Sequence, residues 1–166
     1  EAMRLFESNQ MKEGLISSLA DLSKMPNIKQ IFLSMQNITD ISPLAGLKNL
    51  EVVDIKNNPI TDISPLSELK FLKRVNLFDT RITDLSPLSD CPMLLELDAG
   101  KLPIQSPSAF YGLDGLQNLS LYETIIDTLT GIDRLTQLTF FEVSGVIDGD
   151  LTPLLSLPQL KSVMLD

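Results

Sequence analysis

Asp40-Ile41-Ser42-Pro43-Leu44-Ala45-Gly46-Leu47-Lys48-Asn49-Leu50-Glu51-Val52-Val53-Asp54-Ile55-Lys56-Asn57-Asn58-Pro59-Ile60-Thr61 holds the plan of the whole chain. Its Ile41-Ser42-Pro43-Leu44 returns as Ile63-Ser64-Pro65-Leu66 and as Leu85-Ser86-Pro87-Leu88, each copy 22 residues after the last. Extended along the sequence, that ruler gives apolar columns whose register holds from residue 19 to the end. One is Ile28, Leu50, Leu72, Leu94, Leu116, Leu138 and Leu160; a second is Ile31, Val53, Val75, Leu97, Leu119, Phe141 and Val163; a third is Leu33, Ile55, Leu77, Ala99, Leu121, Val143 and Leu165. Columns that run through Leu44, through Ile60, and from Met25 through Leu47 to Cys91 complete the set. A single unit cannot bury its own apolar edge, so the units must stack into a solenoid in which each column is a ladder of aliphatic contacts.

Within a unit, Val53 and Ile55 alternate with Val52, Asp54 and Lys56, the period of a short strand with one buried face. Successive strands run the same way and form a parallel sheet. The Ser-Pro pairs read as an N-cap followed by a proline at the first helical position. Only about eight residues are left for that return segment, which suits a 3₁₀ turn. Asp40, Asp62 and Asp84 recur as turn or capping residues.

The length of 166 residues suits one domain, and 43% apolar with 21% charged residues suits a folded chain. Thirteen Lys plus Arg against twenty-two Asp plus Glu leave a net charge of -9, which disfavours a nucleic-acid partner. The charge is uneven: residues 1–83 carry ten of each sign, residues 84–166 three basic against twelve acidic. With one Cys and no His, imidazole catalysis and soft metal sites lack raw material, so no enzyme activity, cofactor or metal is expected. No run of eighteen apolar residues exists to insert in a membrane. The start lacks the pattern of a signal peptide and the end falls inside a repeat, so a C-terminally truncated piece of a longer chain is expected. Residues 1–17 stand outside the clean pattern. Met3, Phe6, Met11 and Ile16 extend the ruler but put Asn9 in a core column, while Met3, Phe6 and Gln10 also have helical spacing. An N-terminal cap and a degenerate first repeat both remain open, ahead of about seven coils in residues 18–166.

The unit 40–61, with its Asp-Ile-Ser-Pro-Leu signature, closely resembles the leucine-rich repeat of bacterial internalins, and the resemblance extends over residues 18–166. It implies an α/β repeat solenoid: a right-handed leucine-rich-repeat array with a parallel concave β-sheet and short 3₁₀ or irregular convex segments. It further implies a non-catalytic, secreted or cell-surface bacterial scaffold that recognises a protein ligand on its concave face. The alternative is a regulatory or sensor repeat domain attached to a kinase or phosphatase system, located in the cytoplasm. A monomer is expected in either case. The family's inward Asn is present only at Asn58, its place being taken by Gln36, Thr80, Leu102, Thr124 and Val146. Pro107 and Asp148 stand in aliphatic columns, so local distortion is expected at both.

The register sends a set of non-core residues to the concave face. The candidate ligand-binding residues are Phe32, Asp54, Lys56, Arg74, Asn76, Phe78, Glu96, Asp98, Gly100, Tyr122, Phe140 and Glu142. Rings and one Arg beside carboxylates are the usual anchors of protein interfaces. Phe78 and Tyr122 take equivalent places two strands apart, about 10 Å, and Gly100 between them is expected to leave an open notch. The bland alternative has the two rings leaning together over Gly100. Cys91, in a Leu column, reads as a buried inert thiol. Asp148-Gly149-Asp150 supplies too few carboxylates for a hard cation.

Overall fold

Period-2 alternation places Val53 and Ile55 inward, and a computed structural model, which describes residues 2–4 and 19–165, builds the sheet around that choice. The strands are β1 (Ala2–Arg4), β2 (Gln30–Phe32), β3 (Val52–Asp54), β4 (Arg74–Asn76), β5 (Glu96–Asp98), β6 (Asn118–Ile126), β7 (Phe140–Val146) and β8 (Ser162–Leu165). Among the described residues they form one parallel sheet in chain order. Val53 pairs with Val75 and Val75 with Leu97, so the hydrogen-bonded register is the 22-residue ruler itself. Ile31, Val53, Val75, Leu97, Leu119 and Phe141 are at most 2% exposed. The columns open at the ends. Met25 is 47%, Val163 39% and Leu165 51% exposed, because no described coil covers them on one side.

The return segments are 3₁₀ turns: Ser42–Gly46, Ser64–Glu68, Ser86–Asp90 and Thr152–Ser156, each with proline in second place. The expected Ser caps are corrected here. Ser42, Ser64 and Ser86 are the first turn residues, and the capping acceptors are the carboxylates two residues before. Asp40, Asp62, Asp84 and Asp150 accept the N–H groups of Ser42, Ser64, Ser86 and Thr152 at 2.7, 2.7, 2.8 and 2.9 Å. These bonds hold Asp40 and Asp84 below the usual carboxylate range. Ser106 alone fits the expected role, accepting from Ser108 N–H at 3.3 Å, and Pro107 behind it is buried without penalty because a first-turn N–H is not needed.

The distortion expected at Asp148 has a specific form. Leu121 pairs with Val143, 22 residues on, but Ile126 pairs with Val146, only 20 on, across a register shift between Leu121 and Ile125. The shift places Val146 beside Ile126 and against the core, which leaves Asp148 exposed. A buried unpaired carboxylate would cost several kcal/mol, far more than a bulge. Asp148 therefore does not occupy the Ile60 column. At the N-terminus Met3 pairs with Ile31, 28 positions away rather than at the 22-residue step, and lies in a strand rather than a helix. Phe6, Gln10, Met11 and Ile16 lie outside the described residues, and with them the choice between cap and degenerate repeat.

Asn58 is 2% exposed and fully engaged. Its Oδ1 accepts from the N–H groups of Gln36 and Ile38, both at 3.0 Å, and its Nδ2 donates to the carbonyls of Leu33, Ile55 and Lys56 at 2.7, 2.9 and 3.1 Å. One side chain thus satisfies five backbone groups on two coils. Thr80 and Thr124 do less: Thr80 Oγ1 donates to Leu77 O at 2.8 Å, and Thr124 Oγ1 accepts from Lys101 N–H at 2.8 Å. On the flank, Glu51 takes Lys29 at 2.9 Å from one coil and Lys73 at 2.7 Å from another. Lys73 and Lys29 hold its carboxyl down to about 2.

Asn58→Ala is expected to lower unfolding free energy by about 3 kcal/mol, because several buried polar groups lose their partner at once; denaturant titration measures it. Glu51 is depressed from an ordinary 4.5, so its stabilisation is present above that pH and is lost as pH falls toward 2. Glu51→Gln should therefore lower the denaturation midpoint at pH 7 and match the parent near pH 2.

Candidate functional site

The expected ligand-binding residues stand in three rows on one sheet face. Arg74, Glu96 and Phe140 belong to the first row; Phe32, Asp54, Asn76, Asp98 and Glu142 to the middle row; and Lys56, Phe78, Gly100 and Tyr122 to the third. The buried residues between them, such as Val75 and Leu77, fix which side chains are sent outward.

In the first row Arg74 Nε and Nη2 donate to Glu96 Oε2 and Oε1 at 2.6 and 2.9 Å, a two-bond fork between β4 and β5. Both side chains are substantially exposed, so the pair adds little to stability. It does hold both groups in one geometry. A pocket of about 180 Å³ lies against the pair and is lined by Asn76, Asp98, Asn118, Ser120 and Phe140.

In the third row the open notch is corrected. Phe78 and Tyr122 stack with centroids 6.2 Å apart and planes inclined by 23°. They lean together because Gly100 holds nothing between them: a Cβ there would meet Tyr122 O at 2.6 Å and Phe78 Cδ2 at 2.8 Å. Lys101 Nζ stands 6.0 Å from the Phe78 ring and 3.0 Å from Asp79 Oδ2. Lys101 is a neighbour of the site that the strand pattern missed. Its φ of 56° turns the chain past the buried end of the strand pattern, as at Met35, Asn57, Asp79 and Glu123, and that 22-residue column, outside the aliphatic core columns, was the available signal.

The middle row has a structural duty that alternation alone does not reveal. Asp54, Asn76 and Asp98 accept the N–H groups of Lys56, Phe78 and Gly100 at 3.2, 3.0 and 3.1 Å, and Ser120 Oγ accepts from Tyr122 N–H at 3.4 Å. Asp54, Asn76 and Asp98 so close the turn at the end of β3, β4 and β5, and Ser120 makes the equivalent contact inside β6. Ser120 Oγ also donates to Glu142 at 2.5 Å. Burial pushes the Asp98 carboxyl up; the Gly100 N–H partly offsets this, and Glu142 and Asp54 reinforce it.

Elsewhere the chemistry is quiet. Cys91 is buried, its thiol raised to about 11 by burial, with Sγ 3.3 Å from Leu66 O. Asp148 accepts the Asp150 N–H at 3.0 Å, a turn contact. Among the described residues no group of three or more His, Cys, Asp or Glu side chains is placed to hold a metal ion. A wider, open groove of about 920 Å³ runs past Asn37, Asn57, Pro59, Asp79 and Arg81, but no ring lines it.

Gly100→Ala should force the Phe78 ring and the Tyr122 backbone apart and cost about 1–3 kcal/mol. Thermal melting, with the near-ultraviolet circular dichroism of the tyrosines as local probe, checks it.

The Leucine Rich repeats family matches residues 26–68 and 48–90. An internalin from Listeria monocytogenes is similar in structure, with 24% identity, a TM-score of 0.73, and coverage of 89% of this chain and 51% of that one. Internalin C2 from the same organism has 26% identity and a TM-score of 0.78 over 91% of this chain and 69% of that one. A leucine-rich-repeat protein of Leptospira interrogans shares the fold at 20% identity and TM-score 0.73, with 86% of this chain and 38% of that one covered. The chain thus spans about half the length of the first of these. No curated protein matches it in sequence.

Proposed function

We propose that this chain, internalin-like in its leucine-rich repeats, is a non-catalytic scaffold whose concave sheet face binds a protein ligand outside a bacterial cell or at its surface. The observation that carries the reading is the concentration of rings and fixed charges on that face. The stacked Phe78–Tyr122 pair, the Arg74–Glu96 fork and Phe140 stand on adjacent strands of a ladder held rigid from below. Preorganised aromatic and Arg groups lose little conformational freedom on binding, which is why such groups dominate interface energies. A monomer suffices, since the face is continuous within one chain. The net charge of -9 argues for a protein partner over nucleic acid.

The test is a screen of displayed extracellular proteins against the intact chain. A binder is expected whose affinity falls at least about 30-fold, or 2 kcal/mol, on Tyr122→Ala or Phe140→Ala. Because residues 84–166 carry the whole net charge, its association rate should fall as salt rises. A binder indifferent to both substitutions but lost on Phe71→Ser, on the flank, overturns the assignment of the face.

A further inference from the structure

The sheet face carries two carboxylates that, among the described residues, form no ion pair. Acidic side chains stand on alternate strands of the middle row: Asp54 on β3, Asp98 on β5 and Glu142 on β7. Two strand spacings, about 10 Å, separate each from the next. Asp54 has Lys56 Nζ at 3.9 Å. Among the described residues Asp98 and Glu142 enter no ion pair, and Arg74, the other cation of the face, is taken up by both oxygens of Glu96. Asp98 has one donor, the Gly100 N–H, and Glu142 has one, the Ser120 hydroxyl, so each keeps accepting capacity in hand. Half-burial penalises the charge of Asp98 and Glu142 adds to the penalty, while the Gly100 N–H and the more distant Lys56 offset only part of it, so an arriving cation has something to relieve.

The surroundings narrow the kind of cation. Two carboxylates fall short of the six or more oxygen ligands that a hard metal ion takes, and among the described residues no group of three or more His, Cys, Asp or Glu is placed to hold one. Phe140 rises from the first row beside Asp98 in the 180 Å³ pocket, and Tyr122, 43% exposed, rises from the third. Rings on both sides of a carboxylate lane suit a long side chain that lays an alkyl stem on apolar surface and delivers its charge at the tip.

On the premise that this face is the binding surface, we propose that its partner is a basic protein segment that crosses the strands and sets two Lys or Arg side chains on Asp98 and Glu142. The acidic C-terminal half supplies the field that draws such a segment in.

The probe is a phage-displayed library of random 12-residue peptides, selected on the intact chain. Selected peptides are then measured on an Asp98→Asn, Glu142→Gln chain and on a Tyr122→Ala, Phe140→Ala chain. The carboxamides retain the acceptors for Gly100 and Ser120, so melting temperature should match the parent. The expected result is at least threefold enrichment in Lys plus Arg over the input, with affinity at least tenfold weaker on the carboxamide chain. Peptides that need Tyr122 and Phe140 but are not basic, or that bind the carboxamide chain equally well, overturn the inference and leave the sheet-face reading standing. Peptides indifferent to all four substitutions overturn both.

Discussion

A coil of 22 residues has no interior of its own, and everything in this molecule follows from the way one coil is completed by the next. Val53 is buried only because Ile31 and Val75 stand beside it in the ladder, and the backbone bonds that set that register are the same ones that space the strands. Aliphatic contact and hydrogen bonding therefore enforce one period together. A sequence that satisfies both is forced to repeat, and the repetition is what makes the face above the ladder continuous.

The places where repetition gives way show which force prevails. At Asp148 the choice lies between a carboxylate in the core and a two-residue slip in the β6–β7 pairing, and the slip is taken because backbone irregularity is far cheaper than a buried charge. At Pro107 no slip occurs, since a proline that opens a turn has no N–H to lose. Polar substitution along the Asn58 column is graded in the same way. Asn58 binds five backbone groups, whereas Thr80 offers a carbonyl only a hydroxyl, so the solenoid keeps its shape there through aliphatic packing more than through side-chain bonds.

What was legible in the sequence was whatever the period repeats. Columns through Leu50, Val53 and Ile55 give the sheet, its direction, its buried side and, by subtraction, its outward residues. What was not legible depends on reach across the repeat. The recurring Asp40, Asp62 and Asp84 were legible as turn or capping residues, but not that they displace Ser42, Ser64 and Ser86 as the acceptors, because a carboxylate two residues upstream accepts the turn's first N–H better than a hydroxyl already inside the turn. Ring positions follow side-chain lean, so Phe78 and Tyr122 close to 6.2 Å although their strands are two spacings apart. Lys101 reaches the site from just past the strand, through a left-handed turn that strict alternation does not describe.

The middle row carries the most consequence for function, because its side chains serve two ends at once. Asp54, Asn76, Asp98 and Ser120 all hold the N–H two residues on, a task that any short acceptor performs. The structural task therefore does not decide between neutral and charged members of the set. Asn and Ser perform it on β4 and β6 without charge, and Asp on β5 performs it at the cost of a half-buried carboxylate that its own chain leaves unpaired. The turn bond to Gly100 does not require that charge, and the proposed recognition of a basic segment is what would give it a use.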